Sequence, residues 1–597
     1  MTDIIPIKSS LLAIGLALMS WPALANTIPA TSPGASDIQA AINEAKDGDT
    51  VIVPAGTASW TGRLEINKGI TLQGQTTIDG AGTANPVIDS KTVIQDDTPT
   101  GILRLYPDPS KPLLRVTGIT FTHGSRTAST NWGVLINPAF SVPSTRIRID
   151  HCYFDHIRAS VVIGNGGWSY PVVDHNVVDY DNGYAFVPDE NSYDGKTNGN
   201  GAWADFAWFG SEKFFFIETN TVRNSRGLHP CTDTTNGGRF VYRYNFNHNC
   251  LPADHGTEGG LARFDRAHEI YHNVFNFDVP PTNISQRSGN SLIHDNLCTG
   301  VKNQNNVFVN INNNRTNSGR SESMWGQADG TSPWDENDTE GNGTFVEGHP
   351  PHTFDSGTAT SGGSGGGGGR MVDTTKNWRP NQWVGYSIQD TSTYLPYLAS
   401  YITSSTSNTI VYLYYSATDS KRHLIFAAGH TYAIHRCLRQ FDMAGTGKGD
   451  LVSADTSGHP INTTTGKASY PHYLSEPTFA WNNKHESGAG QIMKTALPWI
   501  KPNRDYYDLG IGFPADSTPQ KVKDLLTASV NGMDYIGPYT YPHPLASGGP
   551  QPTVTPAPTA SATATATPSV TATATAVDRS PLLFLPFQLL DTAVLRR

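Results

Sequence analysis

The sequence predicts an all-β solenoid, a fold in which short strands stack coil upon coil along one axis. The chain has 597 residues, more than the ~250 to 300 residues of an ordinary single core, so it needs several domains or a core that grows by repetition. Its 58 glycines and 16% charged residues are typical of a β-rich chain with many turns. An internal repeat then favours the solenoid over several separate domains.

Six segments share an alternating strand that runs into asparagine and then into a second short apolar piece. Their equivalent positions are Cys152, Asn176, Asn220, Asn245, Asn273 and Asn296. The separations of 24, 44, 25, 28 and 23 residues mostly match one coil of roughly 20 to 30 residues. The separation of 44 fits either one coil with a long excursion or a coil whose pattern is hidden. Stacked asparagine side chains can hydrogen-bond one another from coil to coil.

This asparagine ladder resembles that of the right-handed parallel β-helix of the pectate-lyase-like superfamily, and the resemblance covers roughly residues 36–345. It implies a secreted bacterial protein with carbohydrate-active relatives. A β-propeller is the alternative fold, but its blades would need ~40 or more residues with four strands each. We therefore expect a parallel β-helix.

The N-terminus predicts export. Lys8 precedes the apolar run Leu11–Ser20, and Ala23–Ala25 supplies the small residues of a cleavage site, so residues 1–25 read as a signal peptide. An uncleaved anchor is the alternative, although the run is too short to span a bilayer stably. We expect a protein that is secreted or held at the bacterial cell surface.

Composition divides the rest of the chain. A short amphipathic helix near residue 36 would cap the open end of the solenoid. The predicted regions are a parallel β-helix over 26–350, a Gly-rich linker over 351–370, a small antiparallel β insertion over 371–450, the last coils and closure over 451–546, a Pro/Thr/Ala stalk over 547–577 and a candidate sorting tail over 578–597. The stalk cannot bury a core, and the tail is either a sorting signal that contacts the cell envelope or a segment without a function.

Charge and cysteine content limit the partners and the cross-links. The net charge of -10 argues against a nucleic-acid partner, although a local basic groove could still bind an anionic polymer. Of the five cysteines, Cys231 and Cys250 could close a loop, and the odd number leaves at least one thiol without an intrachain partner.

Strand parity separates the predicted core from the candidate site residues. The positions five and three before each ladder residue are mostly apolar and should point inward, and His268 belongs to this set. The positions two before the ladder should point outward and form a stripe: Asp150, Asp174, Glu218, Arg243, Tyr271 and His294. Such a stripe is either a solvated face or a groove for a charged or polyhydroxyl polymer.

Three loops precede three consecutive ladder strands, so coiling should bring them to one edge of one sheet. Their polar residues are Arg226, His229, Asp233 and Arg239 in the first loop, Asp254, His255, Glu258, Arg263, Asp265 and Arg266 in the second, and Arg287 in the third. A purely structural edge would favour Gly, Asn, Ser and Thr. The concentration of His, Arg and carboxylates therefore predicts a functional site.

The favoured reaction is β-elimination by a lyase that acts on an anionic, uronate-containing polysaccharide. Arg266 and Arg287 would bind the uronate carboxylate bidentately. His255 would be the base, with His229 or Tyr271 as the acid. The predicted catalytic set is His229, Asp233, Arg239, His255, Arg266, Glu269 and Arg287, and the predicted substrate-binding set is Trp203, Trp208, Arg226, Arg243, Arg263 and Tyr271.

Two alternatives use the same fold. A glycoside hydrolase would use two carboxylates from Asp233, Asp254, Glu258, Asp265 and Glu269; five arginines in the cluster favour the lyase. A non-catalytic glycan-binding adhesin is the other, and Trp203 and Trp208 would stack on sugar rings in each case. Calcium is the one cofactor that the sequence suggests, with Asp233, Asp254 and Glu258 as oxygen ligands.

Overall fold

The computed structural model shows a chain made mostly of short strands. It describes residues 25–125, 132–137, 143–163, 169–188, 206–234, 237–254, 265–280, 284–287, 289–301, 307–311, 353–365, 368–384, 387–392, 399–413, 423–435, 446–447, 461–462, 467–468, 474–475, 477–490, 492–495, 502–503 and 506–547. The predicted signal peptide lies outside these residues except for Ala25, and the predicted stalk and sorting tail lie outside them except for Ser547.

Twelve strands form one parallel sheet, sheet A, in which each strand pairs with the next coil in register. The strands are Thr27–Pro29, Thr50–Ile52, Thr71–Gln73, Leu114–Thr117, Ile147–Asp150, Val172–Asp174, Phe215–Glu218, Arg239–Arg243, Ala267–Tyr271, Asn290–His294, Thr478–Trp481 and Tyr506–Asp508. The strand at 172 pairs directly with the strand at 215, so the separation of 44 residues is one coil with a long excursion.

A second parallel sheet, sheet B, follows the ladder corner. Its strands are Gly56–Trp60, Thr92–Asp96, Thr120–His123, Tyr153–Asp155, Val177–Tyr180, Thr221–Asn224, Phe246–His248, Val274–Phe277, Leu297–Gly300 and Lys484–His485. The two long parallel sheets confirm the predicted parallel β-helix.

A third wall closes each coil. It starts as a five-stranded parallel sheet with the strands Leu64–Ile66, Leu103–Leu105, Trp132–Ile136, Ala159–Ile163 and Tyr184–Val187. A parallel bridge from Phe186 to Thr232 carries the wall into later coils. There it comprises His229–Pro230 paired with Cys250–Leu251, followed by Ile284–Gln286, Val307–Ile311 and Ile492–Thr495. We call this row of strands the third sheet.

The asparagine ladder is continuous. Each Nδ2 donates to the Oδ1 of the next coil, at 3.0 Å from Asn176 to Asn220 and at 3.0 Å from Asn273 to Asn296. The ladder then extends to Asn483, which accepts from Asn296 at 2.8 Å, so the segment at 477–484 is one further coil, as predicted. The residue before each ladder position has φ between 49° and 57°: His151, His175, Thr219, Tyr244, His272, Asp295 and Asn482. The same left-handed bend therefore repeats at every coil of the ladder.

The predicted capping helix spans Ala35–Glu44 and buries Ile38, Ala41 and Ile42 against the first coils. Lys68 closes its C-terminal end, because Nζ donates to the carbonyl oxygens of three residues between 42 and 45 at 2.6 to 2.9 Å. A cation at this end also complements the helix dipole.

The insertion is a seven-stranded antiparallel sheet that begins before its predicted boundary. Its strands are Thr353–Thr358, Ser361–Gly365, Gly368–Val372, Ser387–Asp390, Ala399–Ser405, Thr409–Leu413 and Thr431–His435. The Gly-rich run predicted as a linker contains two of these strands, paired as a hairpin. A Cβ at Gly369 would lie 2.3 Å from the Tyr412 ring, so this glycine lets an aromatic side chain pack on the hairpin.

The remaining elements are short. Two-stranded antiparallel pairs are formed by Thr77–Asp79 with Val87–Asp89, by Thr446–Gly447 with Leu474–Ser475, and by Ile461–Asn462 with Lys467–Ala468. Further helices span Gln520–Leu525, Ala528–Asn531 and Pro544–Ser547. Within the described part of the chain, no helix is long and apolar enough to cross a membrane.

The molecule has two hydrophobic cores that share sheet A. Inside the coils, Ile217, Phe240 and Ile270 belong to the solenoid core. On the opposite face of the same strands, side chains such as Val241 and Leu292 pack against residues 206–214 and 520–547. We call these two covering segments the loop cover and the C-terminal cover. Four cysteines inside the fold, Cys152, Cys231, Cys250 and Cys298, are buried free thiols, and Cys437 lies outside the described residues.

Candidate functional site

The outward stripe on sheet A is neither a solvated face nor an open groove. Asp150, Asp174, Glu218 and Arg243 are 0% exposed, and Tyr271 and His294 are 1% exposed. The stripe lies on the face that the second core covers, so its charges must be satisfied within the protein.

Buried ion pairs with arginine satisfy the carboxylates of the stripe. Arg115 donates to both oxygens of Asp150 at 2.6 and 2.5 Å. Arg148 donates to both oxygens of Asp174 at 2.8 and 2.7 Å, and Arg243 Nε donates to Glu218 at 2.7 Å. The sequence prediction failed here because strand parity reports that a side chain leaves the core but does not report what covers it.

Arg243 and Tyr271, which were predicted to bind substrate, hold the C-terminal cover. Arg243 Nη1 and Nη2 donate to the carbonyl oxygens of Tyr539 and Thr540 at 2.6 and 2.9 Å. Its Nη1 also donates to the Tyr271 hydroxyl at 2.8 Å. The Glu218 carboxylate accepts the backbone N–H of His543 at 2.9 Å. The Glu218–Arg243 ion pair therefore holds the C-terminal cover on sheet A, although the two are far apart in sequence.

Arg239 and Glu269 hold the loop cover on sheet A in the same way, and Trp208 is part of that cover. Arg239 is 0% exposed and donates to the Phe206 carbonyl oxygen at 2.6 Å. Glu269 Oε1 accepts the backbone N–H of Gly210 at 2.7 Å, and burial raises the pKa of Glu269 to about 7. The Trp208 ring carries the Lys213 ammonium 3.2 Å from its centroid, so that ring face already has a partner.

The loop edge does bring predicted residues together. Asp254 accepts the backbone N–H of Arg287 with both carboxylate oxygens at 2.8 Å, and Arg287 Nε donates to the Asp254 carbonyl oxygen at 2.8 Å. Asp265 accepts from His268 Nδ1 at 2.8 Å. Arg266 is 2% exposed and donates to Asn290 Oδ1 at 2.7 Å. The expected convergence of these loops is therefore present as contacts.

Burial shifts the pKa values of two groups at this edge. It raises the pKa of Asp254 to about 7, with the negative charge of Asp265 as the next cause. It lowers the pKa of His268 to about 4, while the ring stacks on Phe240 with centroids 5.1 Å apart. His268 thus lies inside the coil beside the solenoid core, as its parity predicted.

A second group of side chains, most of them partly exposed to solvent, lies at the edge of the third sheet. The negative charge of the Asp233 carboxylate acts on the Tyr184 hydroxyl, and the Tyr184 and His229 rings are tilted with centroids 5.6 Å apart. Tyr184, His229 and Arg287 are each half-buried, whereas Asp233 is 5% exposed. We call Tyr184, His229, Asp233 and Arg287 the third-sheet cluster.

The environment of the cluster assigns its protonation states. The negative charge of Asp233 raises the pKa of Tyr184, and burial adds to that shift, while the charges of Arg287 and Arg158 oppose it. Burial lowers the pKa of His229. Near neutral pH, Tyr184 is therefore a phenol and His229 is a neutral imidazole.

The backbone fixes His229 from the inside of the coil. The Tyr180 hydroxyl, which is buried in the core, faces the carbonyl oxygens of His229 and Pro230 at 3.0 Å each. His229 Nδ1 lies 3.2 Å from the Pro230 carbonyl oxygen, which can only accept, so Nδ1 carries the proton. Nε2 then holds the lone pair, and the ring can accept a proton there.

Sequence reasoning identified His229, Asp233 and Arg287 but missed Tyr184 and Arg158. Arg158 directly precedes the strand Ala159–Ile163, and Tyr184 is the first residue of the strand Tyr184–Val187. Both strands belong to the third sheet. The repeat was aligned only on sheets A and B, so it gave no register for the third sheet. Arg226 is exposed, with its backbone N–H on Asn224 Oδ1 at 2.8 Å. The predicted residues Trp203, His255, Glu258 and Arg263 lie outside the described residues.

Of the predicted calcium ligands, the structure describes Asp233 and Asp254. Both carboxylate oxygens of Asp254 accept the Arg287 N–H. No group of three or more His, Cys, Asp or Glu residues in the described ranges is arranged to hold a metal ion.

No model of a known protein family matches this chain, and no curated protein matches it either. Any functional assignment therefore depends on the fold and on the geometry of the third-sheet cluster.

Proposed function

We propose that this protein is an extracellular polysaccharide lyase that cleaves a uronate-containing polymer by β-elimination at the third-sheet cluster. The observation that carries the proposal is the pairing of a neutral histidine with a protonated tyrosine, 5.6 Å apart between ring centroids, beside arginine. Elimination next to a carboxylate requires a base, an acid and a cation, and the cluster contains all three.

Each group has one task. Arg287 binds the uronate carboxylate and so holds the sugar ring against the base and the acid. His229 Nε2 removes the proton from that carbon while a carbon–carbon double bond forms. The bond to the glycosidic oxygen breaks, and the Tyr184 hydroxyl gives its proton to that oxygen. Solvent then reprotonates Tyr184 and takes the proton from His229, so no other reactant is needed.

The fold supports the same substrate class. A parallel β-helix with a continuous asparagine ladder is the feature by which the chain resembles the pectate-lyase-like superfamily, and we propose that it is a distant member. The signal-like N-terminus and the Pro/Thr/Ala C-terminal segment support export to the cell surface. An extended polymer is a fitting substrate for a site on the side of a long solenoid.

A second candidate is a glycoside hydrolase, and one observation favours it. The pKa of Asp254 is raised to about 7, as expected of a general acid, and Asp233 lies one coil earlier on the same wall. Asp254 is only 1% exposed, and both its oxygens accept the Arg287 amide. The half-buried His229 and Tyr184 are more accessible to a polymer, which is why we favour elimination.

The test is incubation of the purified protein with a panel of polyuronates and neutral polysaccharides. New ultraviolet absorbance from unsaturated chain ends would support the lyase. New reducing ends without that absorbance would support the hydrolase instead. Binding without either product would mean a non-catalytic glycan-binding protein and would overturn the lyase proposal.

Substitutions then locate the chemistry. His229→Ala and Tyr184→Phe should each reduce kcat by about 100-fold or more, because each removes one proton transfer. His123→Ala is the matched control, since His123 is an exposed histidine on sheet B. Activity of His229→Ala equal to that of the control would exclude the third-sheet cluster as the active site.

A further inference from the structure

Asp254 and Arg287 are joined at two points. The carboxylate of Asp254 accepts the backbone N–H of Arg287 with both oxygens at 2.8 Å, which positions the peptide that carries Arg287. The carbonyl oxygen of Asp254 accepts from Arg287 Nε at 2.8 Å, which restricts the plane of the guanidinium. A backbone anchor and a side-chain anchor therefore come from one residue in the preceding coil.

Asp254 is itself buried. It is 1% exposed, and the charges of Asp265 and His268, at the start of the sheet A strand Ala267–Tyr271, act on its carboxylate. Asp265 is 0% exposed and is bonded to His268 at 2.8 Å. A Cβ at Gly289 would lie 2.9 Å from Asp265 Oδ1, so the chain that follows Arg287 packs closely against the same group.

The Arg287 guanidinium, which Asp254 orients, interacts with another residue of the third-sheet cluster. Its charge acts on the Tyr184 hydroxyl, as does the opposite charge of Asp233. Arg287 is half-buried, whereas Arg239, Arg243 and Arg266 are almost fully buried. Bidentate binding of a carboxylate by arginine requires the guanidinium to present two parallel N–H donors in one orientation.

We propose that Asp254 is a positioning residue that presents Arg287 to the carboxylate of an anionic sugar, and so determines the preference of the site for uronates over neutral sugars. This inference rests on the proposed lyase function. Asp254 acts only through Arg287, so its removal should weaken substrate binding much more than it slows the chemical step.

The experiment is a double-substitution cycle read out by kinetics on a polyuronate. Asp254→Ala in the wild-type background should raise KM about tenfold and change kcat less than about threefold. In an Arg287→Ala background the same substitution should change KM less than about twofold, because the group through which it acts is already absent. Asp254→Asn, which keeps one acceptor oxygen, should give an intermediate KM.

Asp508→Ala is a control for the removal of a carboxylate that accepts a backbone N–H. Asp508 lies on a distant coil and accepts the N–H of Met493 at 2.9 Å with one oxygen. Asp508→Ala should leave KM and kcat unchanged. If Asp254→Ala does not fold, Asp254→Asn carries the same comparison, with thermal unfolding recorded for each variant.

The outcomes separate the two proposals. If the wild-type protein forms no unsaturated ends from any polyuronate, the lyase function is wrong. If the wild-type protein is active but Asp254→Ala and Asp254→Asn leave KM unchanged, the positioning role is wrong. Equal effects of Asp254→Ala with and without Arg287 would also overturn it, because Asp254 would then act by another route.

Discussion

The outer face of sheet A and the edge of the third sheet carry similar residues in opposite situations. Both combine arginine, carboxylates, tyrosine and histidine. On sheet A, Glu218 and Arg243 are 0% exposed and hold the C-terminal cover. At the third sheet, Tyr184, His229 and Arg287 remain half-buried. The same side-chain chemistry therefore fastens the fold in one region and is accessible to a ligand in the other.

The difference follows from desolvation. A charge pair removed from water must be fully paired, and it then resists change, because loss of one partner leaves an uncompensated buried charge. A half-buried pair keeps part of its hydration and can exchange partners with a substrate. Burial, more than residue type, separates the structural network from the candidate site.

The largest expected effect comes from breaking the buried network on sheet A. Arg243→Ala leaves Glu218 without its cation and frees the carbonyl oxygens of Tyr539 and Thr540. We expect the free energy of unfolding to fall by about 3 to 5 kcal/mol, with little change in kcat per folded molecule. Urea unfolding followed by circular dichroism measures the first quantity and a lyase assay measures the second. A loss of kcat without a loss of stability would show that sheet A contributes to the chemistry.

The next effect concerns Glu269 under the loop cover. Its pKa rises from 4.5 to about 7 on burial, so the folded state keeps a proton that the unfolded state has lost. Stability should therefore fall as pH rises from about 4.5 through about 7, by roughly 3 kcal/mol in total.

Glu269→Gln should remove this part of the pH dependence and make the protein more stable at pH 8. Urea midpoints of both proteins at pH 4.5 and pH 8 give the comparison. Equal pH dependence in the two proteins would mean that Glu269 does not titrate in this range.

A smaller effect is expected from the tyrosine behind the third-sheet cluster. Tyr180→Phe removes the hydroxyl that faces the carbonyl oxygens of His229 and Pro230. The free energy of unfolding should fall by about 1 to 2 kcal/mol, since the hydrogen bonds to these two carbonyl oxygens are lost. The kcat should also fall by about three- to tenfold, because the His229 backbone is less well fixed. An unchanged kcat would show that His229 keeps its place without this contact.

The smallest effect should come from the exposed arginine beside the cluster. Arg226→Ala should change the free energy of unfolding by less than about 0.5 kcal/mol. KM for a polyuronate should rise by about threefold at low salt, and the rise should shrink with added salt because exposed charges are screened. Arg226→Ala should therefore change substrate binding and leave stability almost unchanged, whereas Arg243→Ala should lower stability and leave kcat almost unchanged. A KM that is independent of salt would argue against an electrostatic contribution from Arg226.

Much of the fold could be read from the sequence because its cause is local and repetitive. An asparagine at each coil corner predicted a ladder, and the amide from Asn176 to Asn220 is bonded as expected. Parity placed His268 inside the coil and Arg243 outside it. The Gly-rich hairpin was not foreseen, since a run of glycines indicates turns or linkers unless an aromatic ring such as that of Tyr412 packs on it.

The candidate site was only partly predictable. His229, Asp233 and Arg287 stood out by residue type, whereas Tyr184 did not, because one tyrosine at a strand start carries no signal until its coil partner is known. The electrostatic interaction between Tyr184 and Asp233 joins residues about fifty positions apart. Such pairings depend on the register of the third sheet, for which the aligned repeat contains no marker.

The sequence by itself determined the coil length, the ladder and the face of each strand residue, because these depend on spacing within one coil. Only the tertiary structure decided which outward face is covered. Glu218 accepts the N–H of His543 across 325 residues of chain, and no local pattern reports such a contact. Long-range packing removes sheet A from water and leaves the third-sheet cluster partly open, so it separates a charged scaffold from a candidate active site.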